Sequence, residues 1–205
     1  MSTYLVGLEE VAKDFQDKIG YQRELKETNI VGIAGMGSIG KSTLAKHLYN
    51  VKRFDFTRSC FLFKVRGRDL TSLQEQLIRD LLDHDFHMDN IVQGKRILQR
   101  SLPELQALIV LDDVDDIEQI DSLLDMDAMG SGSLILLTYH DKDLLRRSSP
   151  KAILYDVKPL NRQHAQELFC CHALVLPEPV QGFEDLVEEF LKICGGLPSS
   201  LKILG

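Results

Sequence analysis

The 205-residue sequence has no tryptophan, only four cysteines and six prolines, and fewer basic than acidic residues. Lys and Arg number 24 against 31 Asp and Glu, a formal charge of −7. The chain therefore lacks the basic footprint that binding along a phosphate backbone requires, and nucleic acid is not an expected partner. Long hydrophobic runs are missing too: the longest, such as 108–111 and 134–137, fall far short of the roughly 20 residues that span a bilayer, so no membrane partner is expected. Met1 to Leu5 shows no basic region followed by an apolar run, so no secretory leader is visible. Cys60, Cys170, Cys171 and Cys194 have neither CxxC pairing nor histidine pairs at zinc-finger spacing. They read as buried thiols, which points to a reduced, cytoplasmic setting. His47, His84, His87, His164 and His172 are scattered and are not expected to bind metal.

What is present is ordinary for a soluble globular protein: 44% apolar and 27% charged residues, which argue against disorder, collagen-like repeats or a dedicated coiled coil. The length suits one large domain, or a core domain with a small appendage.

Short apolar runs alternate with helix-compatible segments, the order expected of a parallel α/β sheet. The runs 30–34, 60–65, 107–112, 133–138 and 153–157 are expected strands. The segments 41–50, 72–82, 93–102, 117–124 and 141–146 are expected helices. Continuous hydrophobicity in the strands suits a sheet covered on both faces. After Pro159 strand-like runs stop, and amphipathic helices are expected at 161–173 and 183–194 with a short one at 199–204. In the second, Phe183, Leu186, Val187, Phe190, Leu191 and Cys194 repeat on one helical face and are expected to point into a core. This gives a nucleotide-binding α/β domain over residues 1–157 and a small helical subdomain over 158–205. The chain ends amid apolar patterning, as an excised piece of a longer protein would.

Gly35-Met36-Gly37-Ser38-Ile39-Gly40-Lys41-Ser42 fits G-x-x-x-x-G-K-[ST] between an expected strand and an expected helix, the context that gives this motif meaning. Its glycines let backbone N–H groups curl around an anion, and the helix N-terminus adds partial positive charge. Gly37, Ser38, Ile39, Gly40, Lys41, Ser42 and Thr43 are the candidate phosphate ligands. Lys41 is expected to meet the β and γ phosphates, and the Ser42 hydroxyl to hold Mg²⁺.

Four aliphatics, residues 108–111, run into Asp112 and Asp113. A carboxylate at the C-terminal end of a buried strand lies where open α/β sheets bind ligands, so Asp112 is the second candidate for Mg²⁺. Asp113 is the candidate to orient or deprotonate an attacking water. Asp115 and Asp116 read instead as a solvated loop that caps the helix from Ile117.

Together with Gly132 to Thr138 and Gly196-Leu197-Pro198, these blocks resemble the NB-ARC module of plant NLR immune receptors, and Leu111-Asp112-Asp113-Val114-Asp115 resembles the type that carries an N-terminal TIR domain. The resemblance implies a P-loop NTPase with a five-stranded parallel sheet flanked by helices, followed by a helical ARC subdomain. It implies a STAND-class switch, locked by ADP and released to oligomerise, in the full-length receptor, by exchange for ATP. Its partners would be adenine nucleotide and the receptor's other domains, namely a TIR-like N-terminal domain and winged-helix and leucine-rich repeat segments. Base contact would fall to Tyr4 to Gly7, with Val6 central, and to Pro198. By their own pattern, Val6-Gly7 equally begins a helix from Leu8, and Pro198 equally opens a short helix.

The third block departs from the family, which usually ends it Thr-Thr-Arg with the arginine reaching the γ-phosphate. Here Thr138-Tyr139-His140 replaces fixed positive charge with a shorter imidazole. Slow or impaired ATP hydrolysis, or poor ATP discrimination, is the consequence. A turnover P-loop enzyme, such as a small-molecule kinase, is the alternative, though no arginine-rich lid accompanies Arg146-Arg147. A nucleotide-free scaffold is the third, and intact Lys41, Ser42 and Asp112 oppose it. Absence of Asn-Lys-x-Asp leaves guanine without its usual reader.

Overall fold

A computed structural model describes residues 5–20, 28–148 and 151–205. The strands are β1 (Asn29–Ala34), β2 (Arg58–Leu62), β3 (Ala107–Val114), β4 (Leu134–Tyr139) and β5 (Ile153–Asp156). The helices are α1 (Leu8–Ile19), α2 (Lys41–Lys52), α3 (Leu70–Leu82), α4 (Ile91–Ser101), α5 (Ile117–Leu123), α6 (Lys142–Ser148), α7 (Arg162–Ala173), α8 (Glu184–Cys194) and α9 (Pro198–Leu204). Every strand pairing is parallel, in the order β2-β3-β4-β1-β5.

Both faces of the sheet are covered, and side-chain alternation divides the core accordingly. Val31, Ile33, Leu108, Val110, Leu134 and Leu136 pack with α1 and α2 on one face. Ile109, Leu111, Ile135, Leu137 and Tyr139 pack with α3, α4 and α5 on the other. This explains the unbroken aliphatic runs, since neither side of β3 or β4 meets water. α3, α4, α5 and α7 each begin at an Asp or Asn whose carboxylate or amide oxygen accepts a backbone N–H of the first turn.

Three expectations need correction. β2 ends at Leu62 rather than Val65, and β3 runs two residues past Asp112 to Val114 through a register shift between Leu111 and Val114. The cause is a pair of left-handed residues, Lys64 (φ 49°) and Asp113 (φ 60°), which kink neighbouring segments together. Pairing resumes beyond the kink, where Val65 N–H donates to Asp112 O (2.7 Å) and Arg66 N–H to Asp113 O (3.1 Å). The third correction concerns α8. Val187, Leu191 and Cys194 are buried against α7 and α9 and Phe190 stacks on Phe169, but Phe183 and Leu186 are 51% and 48% exposed.

Candidate nucleotide-binding site

The loop from Gly35 to Gly40 leaves β1 and enters α2 at the C-terminal edge of the sheet, beside the ends of β4 and β3. Gly35 (φ 145°) and Gly40 (φ 105°) adopt backbone angles closed to most residues, and Ser38 (φ 63°) is left-handed as well; Gly37 is not. A Cβ at Gly35 would also lie 3.1 Å from the Val157 carbonyl. The loop thus curls tightly enough to turn α2's first N–H groups, which have no partner within the helix, toward the cleft.

Lys41 opens α2 and is 6% exposed. Its Nζ donates to the carbonyls of Gly35 and Met36, each at 2.9 Å, and lies 3.3 Å from His140 Nδ1. Burial pulls its pKa down, opposed by the nearby carboxylates of Asp113 and Asp112. An ammonium can only donate, so this contact is a hydrogen bond in the tautomer that leaves Nδ1 bare and carries its proton on Nε2. That nitrogen faces Asp113 Oδ1 at 3.5 Å. His140 is thereby wedged between the loop lysine and the second aspartate, with Cε1 3.7 Å from where a side chain on Gly37 would begin.

Asp112 is fully buried. Its Oδ1 accepts the Thr138 hydroxyl at 2.7 Å, and the same hydroxyl oxygen accepts Asp113 N–H at 2.8 Å. Asp112 Oδ2 has no hydrogen-bond partner among the described residues. An unpaired, buried carboxylate oxygen on a residue that lines a polar cleft fits a cation held jointly with Ser42.

These groups line one cleft of about 400 Å³, which gathers Ser38, Gly40, Lys41, Ser42, Thr43, Asp112, Asp113, His140 and Pro198. A smaller apolar pocket adjoins it, lined by Val6, Ile39, Leu44, Val157, Leu168 and again Pro198. Ile39 belongs to this second pocket and not to the cleft, while Gly37 lines neither. Val6 packs with the cluster formed by α7, α8 and α9. Tyr4 lies outside the described residues. Arg146 and Arg147, on α6, line neither pocket, and Arg146 pairs with Asp143 at 3.4 Å. Asp116 caps α5 in a reciprocal box with Gln119, and Asp115 pairs with Arg66 at 2.9 Å.

Thr138, Phe63, Lys64, Ser199 and Lys202 also line the cleft, with no role that the motifs assign them. A threonine at the end of β4 was a readable signal for the first. Nothing in the spacing marks the others.

A family model for the NB-ARC domain matches residues 10–177. The chain is 32% identical over 208 residues to Disease resistance protein RUN1 of Vitis rotundifolia, covering 98% of this chain and 15% of that protein. To TMV resistance protein N of Nicotiana glutinosa it is 34% identical over 186 residues, covering 86% of this chain and 16% of that one. Disease resistance-like protein DSC1 of Arabidopsis thaliana is 35% identical over 207 residues, covering 98% and 17%. The chain thus spans less than a fifth of each relative's length. Among solved structures, Cdc6p from Pyrobaculum aerophilum aligns with a TM-score of 0.69 at 16% identity, over 99% of this chain and 61% of that one. Drosophila ORC bound to DNA aligns with a TM-score of 0.56 at 15% identity, over 91% and 54%. At such identities the likeness shows the fold alone, that of a P-loop NTPase.

Proposed function

The chain belongs to the NB-ARC family, and on that premise we propose that it is the adenine-nucleotide switch module of an intracellular, cytoplasmic plant immune receptor, holding ADP or ATP with Mg²⁺ and hydrolysing ATP slowly. The observation that carries this reading is the convergence of Lys41, Ser42 and Asp112, whose Oδ2 is unpaired among the described residues, on one cleft beside an apolar pocket. The apolar pocket is the place for adenine, between Val6 and Pro198. The cleft is the place for the phosphates.

Lys41 would turn from the carbonyls of Gly35 and Met36 to the phosphate oxygens, trading two neutral acceptors for charged ones. Ser42 and Asp112 would hold Mg²⁺, which supplies charge neutralisation between the terminal phosphates. Asp113 would orient the attacking water. His140 carries no fixed positive charge for the γ-phosphate and faces Asp113 instead, which supports slow turnover.

Residues 1–157 would form the nucleotide-binding unit and 158–205 the ARC subdomain. In the whole receptor the TIR-like, winged-helix and leucine-rich repeat segments would read the switch, and oligomerisation would follow activation only.

The test is to denature the purified chain without added nucleotide and identify what is released, then to repeat it with Lys41→Ala. ADP or ATP from the wild type and none from the variant is the expected outcome. An empty wild type that also fails to bind added ADP and ATP would overturn the reading. His140→Arg should raise ATP affinity or hydrolysis, and no change in either would remove His140 from the sensor position.

A further inference from the structure

Three lysines of a chain with a net charge of −7 converge on the cleft: Lys41, Lys64 and Lys202. They come from the phosphate loop's helix, the loop after β2, and α9 in the helical subdomain. Against the two aspartates they leave the lining positive, the sign that draws an anion. Among the described residues Lys41 is the one of the three that hydrogen-bonds to the protein. Among the described residues neither Lys64 nor Lys202 has a carboxylate within ion-pair distance, and Lys64 Nζ instead lies 5.4 Å from the centre of the Phe63 ring.

Backbone strain singles out Lys64 independently. Five non-glycine residues among those described have left-handed backbone: Ser38, Lys64, Asp83, Asp113 and Val175. Three of them, Ser38, Lys64 and Asp113, line this cleft. Such strain persists where the surrounding structure imposes it, and it gathers at ligand sites. At Lys64 it has a visible effect. Regular alternation would place Lys64 on the buried side with Leu62, whereas the kink turns it outward and still buries Val65. The hydrogen bonds from Val65 and Arg66 to the carbonyls of Asp112 and Asp113 hold that kink against the end of β3.

Lys202 is placed differently. It lines both the phosphate cleft and the apolar pocket, as Pro198 does one helical turn earlier. Lys64 lines the cleft alone.

We infer that Lys64 and Lys202 are phosphate ligands of the nucleotide, Lys64 at the terminal-phosphate end beside Asp113 and Lys202 where phosphates meet base and sugar. This rests on the reading of the cleft as an adenine-nucleotide site. Lys64 then contributes part of the positive charge that His140 lacks, and Lys202 makes docking of α9 depend on the bound nucleotide.

Binding of ADP and of ATP, each with Mg²⁺, to the whole chain tests this by calorimetry on wild type, Lys64→Ala, Lys202→Ala, Lys41→Ala and Lys13→Ala. Lys13 is an exposed lysine on α1 that lines neither pocket. Losing a charged hydrogen bond at a solvent-open site predicts a five- to tenfold loss of affinity, on the order of that expected for such contacts. Lys64→Ala should lose that factor for ATP and less than about twofold for ADP, whereas Lys202→Ala should lose it for both. Lys64→Arg and Lys202→Arg should restore binding. Both alanine variants within about twofold of wild type, with Lys41→Ala abolishing binding, would overturn the inference and leave the site standing. An equal loss in Lys13→Ala would reduce the effect to net charge and overturn it as well. A wild type that binds neither nucleotide would overturn the site reading and the inference together. Unchanged melting temperatures would exclude misfolding as the cause.

Discussion

Thr138 performs two tasks with one hydroxyl: it donates to Asp112 Oδ1 and accepts the N–H of the strained Asp113. This fixes a buried carboxylate with one oxygen bonded and the other unpaired among the described residues. Its neighbour Tyr139 faces the other side of β4, fully buried, with a hydroxyl that has no hydrogen-bond partner among the described residues. Burial pushes that hydroxyl's pKa up, so it stays neutral. An unpaired buried hydroxyl costs roughly 1–3 kcal/mol, so removing it should stabilise the protein. Tyr139→Phe is expected to raise the melting temperature by about 2–4 °C, read by calorimetry, with nucleotide affinity unchanged. A lower melting temperature would mean that the hydroxyl has a bonding partner after all.

At the scale of elements, α1 closes one face of the sheet through Leu8, Ala12, Phe15 and Ile19, and it is tied to β5 by polar contacts. Tyr155 donates to Asp14 Oδ2 at 2.8 Å, Lys18 does the same at 2.8 Å, and the Tyr155 ring packs edge-on against Phe15. The Lys18 hydrogen bond first, and the Tyr155 hydroxyl second, hold the Asp14 carboxyl below its usual range. Because the folded state lowers this pKa, its contribution is present above the ordinary carboxylate value, near pH 4, and is lost as pH falls through the folded value. Asp14→Asn should therefore make stability fall less steeply on acidification below about pH 4. Urea unfolding from pH 6 downward checks this, and parallel curves for wild type and variant would contradict it.

α7, α8 and α9 share a core of their own, and α7 and α8 are also joined at the surface by Arg162 and Glu188 at 2.6 Å. The contact is exposed and adds little to stability, so the shared core holds the two helices together.

For the whole molecule, the proposed ligand bridges the sheet edge and the helical subdomain. The phosphate cleft and the apolar pocket both draw on the sheet edge and on α9, with Pro198 and Lys202 shared between them. A ligand that binds only the folded state at about 100 times its Kd adds ~2.7 kcal/mol. For a chain of this size that is a rise of roughly 5–10 °C in melting temperature. ADP with Mg²⁺ should produce it in the wild type and not in Lys41→Ala, measured by scanning calorimetry. An equal shift in both would place the nucleotide elsewhere.

Features that are local in the chain follow from the residue order alone. The phosphate loop is eight consecutive residues, and strand-to-helix context follows directly from Ile30 to Ala34 before it and Leu44, Ala45 and Leu48 after it. Aliphatic runs in β3 and β4 announced a sheet covered on both faces, because burial on two sides requires apolar side chains at every position. Tertiary structure alone decided what meets what. His140 reaches Lys41 across 99 residues and Thr138 reaches Asp112 across 26, because parallel crossovers carry the ends of β1, β3 and β4 to one edge. The kink that turns Lys64 outward has no marker such as glycine or proline, since it is imposed by pairing with Asp112 and Asp113. Phe183 and Leu186 carry the same helical periodicity as their buried neighbours, and only the positions of α7 and α9 separate the two groups. Periodicity states which face of a helix is apolar, whereas its burial depends on what the rest of the chain brings against it.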